Sequence, residues 1–501
     1  MLDHHKINQV VIVGGGTAGW MTAAALGKFF KNSCTITLVE SDDIGTVGVG
    51  EATIPAVAQF NRRLGIDEDT FMKQTQATFK LGIDFVDWGA KGESYIHPFG
   101  RYGDDMPNGI DFYHHWIKMR QLDKASELSD YSICVQAAKE YKFSRPVNIP
   151  GSPLANVAYA YHLDAGLYAK YLREFSQNLG VKRIEGKISK VNLKADNGFI
   201  DSVLLENGDV VGGDLFIDCS GFRGVLIEQA LHTGYEDWGD LLRCNRAVAV
   251  PCEKVEEPTP FTRSTARDAG WQWRIPLQHR TGNGYVYCGD YISDDEAAHT
   301  LVSNLDGKAL ADPRFITFTT GRRKKCWNKN CVAIGLATGF MEPLESTSIH
   351  LIQTAISRLI GFFPDKSFNQ TVIDKYNADA HLEYQQIRDF LILHYNATTR
   401  EDTPFWRYCK QLDVPDYLKY KIALYQNAGL VTRDNNELFT ESSWLAVLEG
   451  QNITTQKYHQ LVDSLDESEL EAMMDKTKQT IKQCVSAMPS HQAYINKHCR
   501  S

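Results

Sequence analysis

The stretch Val10-Val11-Ile12-Val13-Gly14-Gly15-Gly16-Thr17-Ala18-Gly19-Trp20 constrains this chain more than any other. An apolar run ends in Gly-x-Gly-x-x-Gly and passes into Met21-Thr22-Ala23-Ala24-Ala25-Leu26, which reads as helix. This is the strand–turn–helix opening of a dinucleotide site. Gly14 permits the tight turn, Gly16 lets backbone approach a pyrophosphate, and Gly19 lets helix pack on strand. The helix start then presents Thr17 and Ala18 amides and a positive dipole end to phosphate. The next strand, Cys34–Val39, ends at Glu40, placed to bind a ribose hydroxyl.

Length sets the scale around that unit. A chain of 501 residues supports a large core and two or three structural modules. A net charge of -9 argues against a nucleic-acid partner, since phosphate binding needs clustered Lys and Arg. Arg322-Arg323-Lys324-Lys325, the only dense basic run, reads as a solvated loop. Eleven scattered cysteines without a Cys-x-x-Cys pair suit buried thiols in a reducing cytoplasm. The pairs His4-His5 and His114-His115 are poorly spaced for a metal, and none is expected. The N-terminus reads as lacking a secretory leader, and no stretch is apolar enough for a membrane span.

The first half alternates strands and helices. Ile44–Pro55 mixes small and apolar residues and reads as a loop lying against something flat. Phe79–Phe85 alternates with period two, so one strand is expected, with Lys80 opposite an apolar face. Gly270–Leu277 alternates likewise and puts Trp271, Trp273 and Ile275 on one side. Tyr161–Leu172 reads as a helix, Lys187–Val191 as a strand, and Asn207-Gly208 as a hairpin turn. Asp214–Gly221 and Cys331–Ala337 read as buried strands returning to the cofactor sheet. From Ile349 onward the chain is mostly helical, with an apolar stripe of Ile349, Ile352, Ile356, Leu359 and Ile360. Ser346 or Thr347 is the expected cap of that helix, and Glu345 stands just before it.

Four motifs occur in order: the glycine fingerprint, Phe79-Lys80-Leu81-Gly82-Ile83, Gly270-Trp271-Gln272-Trp273-Arg274-Ile275-Pro276, and Glu342-Pro343-Leu344-Glu345-Ser346-Thr347. Together they resemble the flavin-dependent halogenases of the tryptophan halogenase type, from about Val10 to about Arg407. The Trp-x-Trp-x-Ile-Pro element is the most specific of the four. The resemblance implies an α/β fold: an FAD-binding Rossmann-like sheet domain, with residues 1–348 as halogenation core and 349–501 as a helical module covering the substrate side.

The resemblance also implies a chemistry. FAD arrives reduced; with no second fingerprint for a nicotinamide, a separate flavin reductase is the expected partner. Dioxygen and a halide complete the reagents and yield hypohalous acid. The FAD positions it assigns are Gly14, Gly16, Thr17, Ala18, Gly19, Glu40, Val49, Glu51, Ile188, Leu336 and Ile349. Halide falls at Thr347 and Ser348, the latter standing where the family has glycine. Trp271, Trp273, Ile275 and Pro276 flank the passage from flavin to substrate. Lys80 either donates a hydrogen bond to hypohalous acid or carries halogen as a haloamine. Glu345 is the carboxylate near the reacting ring, and His97 and Phe99 stack on it. The paired tyrosines that grip a tryptophan head group are missing around Phe439–Trp444, so indole or another electron-rich arene is expected in place of the free amino acid. The competing readings are a free-tryptophan halogenase, a flavin hydroxylase of aromatics, and a flavin-binding protein without catalysis.

Overall fold

The computed structural model describes residues 5–44, 50–254, 257–434 and 437–500. The expected cofactor residue Val49 and His4 of the first histidine pair lie outside them.

A six-stranded sheet carries the cofactor half. Its order is Trp327–Asn328, Cys331–Ala333, Leu215–Asp218, Gln9–Val13, Thr35–Glu40 and Lys182–Glu185. All pairings are parallel except the edge pair at Trp327–Asn328. Val10, flanked by Leu215 and Ile36, sits at the middle and is fully buried. Parallel strands covered on both faces read as continuous apolar runs, which is how 10–13 and 215–217 look in the sequence. The helix Thr17–Phe30 lies on this sheet through Trp20, Met21, Ala24 and Leu26.

A second sheet has seven strands. It runs Arg314–Thr317, Arg246–Glu253, Arg280–Tyr287, Gly270–Pro276, Thr262–Arg267, Gly82–Val86 and Ser94–Pro98. Trp273 pairs with Gly284, where a Cβ would meet the Trp273 ring at 2.0 Å. Glycine on the neighbouring strand therefore makes the room that this indole occupies. The helix Ser348–Gly361 packs on the Thr17–Phe30 helix and touches the helix Gln370–Asn396. The two large hydrophobic clusters each draw residues from both sides of position 348. Among the described residues no helix is long and apolar enough to cross a membrane.

Four expectations change. Of Ile44–Pro55, read as a loop, Gly50–Ala52 is a strand and 45–49 lie outside the described residues. Residues 79–85 are not one strand: Thr78–Lys80 pairs with Ala160–Asp164, while Gly82–Val86 joins the seven-stranded sheet. The switch falls at Leu81, whose N–H donates to the Pro260 carbonyl at 2.7 Å. The expected helix at Tyr161 begins as the strand Ala160–Asp164, held between Gly50–Ala52 and Thr78–Lys80. Asp164 then caps the helix Ala165–Asn178 by accepting from the Gly166 and Leu167 amides. Finally, Arg322 and Arg323 are buried in the strand Gly321–Arg323, paired with Glu236 at 2.7 Å and Glu228 at 2.9 Å; only Lys324 and Lys325 of that run are exposed.

Candidate active site

A cavity of about 830 Å³ opens where the two sheets meet. The fingerprint forms its phosphate end. Gly14 has φ +110°, and a Cβ there would strike the Cys219 carbonyl at 2.3 Å. At Gly19 a Cβ would lie 1.8 Å from the Gly14 carbonyl, so helix and strand touch through these two glycines. Gly16 faces open space and leads into a helix with no side-chain cap, leaving the Thr17 and Ala18 end bare toward the cavity. Glu40 lines the same end and is held by Arg183 Nε at 2.6 Å. Ile188, Leu336 and Ile349 add apolar wall, and Glu51 lines the cavity with its carboxyl pushed up to about 7 by burial. An uncapped helix start, a cradle that any Cβ would fill, and a carboxylate one strand away fit a dinucleotide such as FAD.

Trp271, Trp273 and Ile275 line the far wall together, as their period-two spacing expects. Pro276 sits at the end of that strand and receives the Thr78 hydroxyl on its carbonyl at 2.7 Å. The Trp273 Nε1 is buried without a protein partner.

Lys80 lies just beyond the cavity. It is fully buried, not on a solvent face, and its Nζ donates to Ser346 Oγ at 2.8 Å and to the Thr53 carbonyl at 3.1 Å. Ser346 itself lines the cavity, so the amine stands one hydroxyl away from it. Burial lowers the amine from the ordinary 10.5 to about 7, with Glu345 pulling it back up in part. The Phe99 ring centroid is 5.0 Å from the amine, and the Phe99 amide donates to the Leu81 carbonyl. From behind, the Phe79 amide donates to His491 Nε2 at 3.1 Å.

Glu345 is equally buried. Both of its oxygens lie 3.0 Å from His97 Nδ1, and Oε1 lies 2.8 Å from His394 Nε2. Burial alone pushes this carboxyl up, but the two histidines outweigh it and hold it at about 2. Of the two expected caps, the structure takes Thr347. Thr347 is the N-cap of the Ser348–Gly361 helix and makes no side-chain cap bond. Ser346, with φ +59°, turns the chain so that Glu345 stands outside the helix. Thr347 is buried, and Ser348 lines the cavity.

An aromatic cluster flanks Glu345. Phe390 stacks on Phe439 at 3.7 Å, meets Trp444 edge-on at 5.0 Å, and lies 5.9 Å from His97. Next to Trp444 the charges are already matched: Lys421 Nζ pairs with Glu437 at 2.6 Å and also donates to the Thr432 carbonyl.

The structure thus brings Lys80, Glu345, His97 and Phe99 to one end of the cavity, behind Ser346 and the Trp271/Trp273 wall. Sequence reasoning missed Ser346 as the lysine's partner, and it missed His394, His491 and Glu342 altogether. Adjacency to Glu345 was the one available signal, and only for Ser346.

Comparison with known proteins gives the family. The tryptophan halogenase family matches residues 9–467. The tryptophan 7-halogenase RebH of Lentzea aerocolonigenes is 38% identical over 447 residues, spanning 85% of this chain and 83% of that protein. Among solved structures, Xcc4156, a flavin-dependent halogenase from Xanthomonas campestris, superposes with a TM-score of 0.95 at 47% identity, covering 99% of each chain. BrvH, a flavin-dependent halogenase from Brevundimonas sp. BAL3, gives a TM-score of 0.95 at 46% identity, covering 98% of this chain and 99% of its own.

Proposed function

The chain belongs to the tryptophan halogenase family, and from that premise we propose that it brominates or chlorinates an indole-type arene through Lys80 and Glu345. It is a flavin-dependent halogenase that uses reduced FAD, dioxygen and halide, with a flavin reductase as partner and an aromatic substrate. Reduced FAD, with dioxygen and halide, supplies hypohalous acid when bound.

The observation that carries the reading is the buried amine one hydroxyl away from the cavity. A route from cavity to Lys80 passes Ser346, while Trp271 and Trp273 keep an arene off the cofactor side. The bare helix start at Thr347 and Ser348 is where halide binds in this reading. An amine poised near neutrality serves either as ammonium donor or as haloamine. The Glu345 carboxylate, kept ionised between His97 and His394, stabilises positive charge on the ring and accepts its proton. His97 therefore orients Glu345 in addition to facing the substrate.

The substrate is indole or a neutral relative: among the described residues the cation beside Trp444, Lys421, is committed to Glu437 and not to an amino-acid carboxylate. Residues 1–348 act as the halogenation core and 349–501 as its helical cover, a division of role within shared hydrophobic clusters.

The test is bromide turnover of indole and of tryptophan with reductase and FAD, read by isotope pattern. Bromoindole is expected, tryptophan should react at least about tenfold less well, and Lys80→Ala should abolish product. Oxygenated product in place of bromoindole supports the hydroxylase reading, and undiminished product from Lys80→Ala removes the lysine from the mechanism.

A further inference from the structure

Glu342 is buried deeper than most carboxyls in any protein, at 0% exposure, and does not line the cavity. Its Oε2 accepts from Trp271 Nε1 at 2.8 Å and from the Tyr395 hydroxyl at 2.5 Å. Its Oε1 has no protein partner. We propose that Glu342 is a positioning residue that locks the Trp271 indole into the cavity wall, on the side that leads through Trp88 to His394 and Glu345. This rests on the halogenase reading above.

The geometry favours a positional role over packing. A buried carboxyl with one unpartnered oxygen is an expensive way to fill space, since an apolar side chain of similar shape is often as stable or better. Burial pushes this carboxyl up to about 7 even with both donors engaged. What the carboxyl provides instead is direction: two aromatic side chains from different elements are tied to one oxygen. Trp271 comes from the seven-stranded sheet and lines the cavity; Tyr395 comes from the end of the Gln370–Asn396 helix. Trp88 stands 6.5 Å from Trp271 and 6.0 Å from His394, so the wall continues directly into the group that holds Glu345.

Adjacent residues of one helix end thereby hold both carboxyls of the 342–345 turn. His394 takes Glu345, and Tyr395 takes Glu342. The barrier and the substrate-side carboxylate are fixed relative to each other through a single element. If Trp271 swings, hypohalous acid escapes before it reaches Lys80, and less product forms for the peroxide released.

The experiment compares wild type with Glu342→Leu, Glu342→Gln and Tyr395→Phe. The first readout is the Trp271 indole N–H resonance in FAD-free protein, with indole nitrogens labelled and Trp271→Phe giving the assignment. The second is hydrogen peroxide released per bromoindole formed under reductase feeding. Glu342→Leu should move the Trp271 resonance and raise the peroxide-to-product ratio about tenfold, the scale of one lost charged hydrogen bond. Glu342→Gln should restore both, because one amide oxygen can accept two donors. Should Glu342→Leu not fold, Tyr395→Phe carries the comparison, with a smaller rise in the ratio. A moved resonance with a ratio within about twofold of wild type overturns the proposal, as does an unmoved resonance. Wild type that forms no bromoindole overturns the functional reading instead, and the resonance still decides whether Glu342 holds Trp271.

Discussion

Replacing Lys80 with methionine separates what the lysine does for chemistry from what it does to the fold. Its amine sits at about 7 in the folded protein against an ordinary 10.5. Because the folded value is depressed, protonation opposes folding. The burden is full below pH 7, fades as pH climbs, and is gone above 10.5. At about 1.4 kcal/mol per tenfold, it amounts to about 4 to 5 kcal/mol at pH 6. Methionine removes that burden but forfeits the bonds to Ser346 Oγ and the Thr53 carbonyl, together about 2 to 3 kcal/mol. The balance is a stabilisation of about 2 kcal/mol at pH 6 and a destabilisation of similar size near pH 10. For a 501-residue chain the unfolding entropy is about 1 kcal/mol per degree, so the melting temperature should rise about 2 °C at pH 6 and fall about 2 °C at pH 10. Scanning calorimetry of FAD-free protein across that range reads the crossover. A methionine variant whose difference from wild type is flat with pH, or negative at pH 6, refutes the idea of a desolvated, pH-poised amine.

Glu345→Gln removes the charge that His97 and His394 clamp, and single-turnover bromination should slow by about 10²–10⁴ with FAD affinity unchanged; a near-wild-type rate takes the carboxylate out of the reaction. Ser346→Ala deletes the lysine's 2.8 Å partner, so bromoindole yield per reduced flavin should drop about tenfold while hypobromous acid caught by an added scavenger rises to match. Yield that stays within a factor of two would show that Lys80 is held well enough by Thr53 alone.

The cofactor half was legible because its signal is local. Gly14 and Gly19 act on each other across five residues, and the strand before them needs only to be apolar. The Trp271/Trp273/Ile275 face was legible for the same reason: alternation survives inside one strand. The burial of Lys80 was not, because the period-two pattern of 79–85 runs unbroken through a change of sheet. That change is made by the Pro260 carbonyl and the strand at Ala160, neither visible from the window itself. Tyr161-His162-Leu163 carries a spacing that suits a helix, yet it is sandwiched by strands from residues 50 and 78. Arg322 and Arg323 look like surface until Glu236 and Glu228, nearly a hundred residues upstream, are folded against them.

The 342–348 turn shows where local rules give the wrong chemistry. Two acids ahead of an amphipathic helix suit its positive end, and that alone would explain them. The left-handed Ser346 breaks the inference, since the helix starts only at Ser348 and the chain has already turned away from its axis. Neither carboxyl is then paired with the helix amides. Each is taken by a side chain of the Gln370–Asn396 helix, Glu345 by His394 and Glu342 by Tyr395, and each is tied on its other side to the seven-stranded sheet, through His97 and Trp271. Freed from the helix start, the two acids are held by side chains instead of by amides, which leaves the helix start at Thr347 without a side-chain cap.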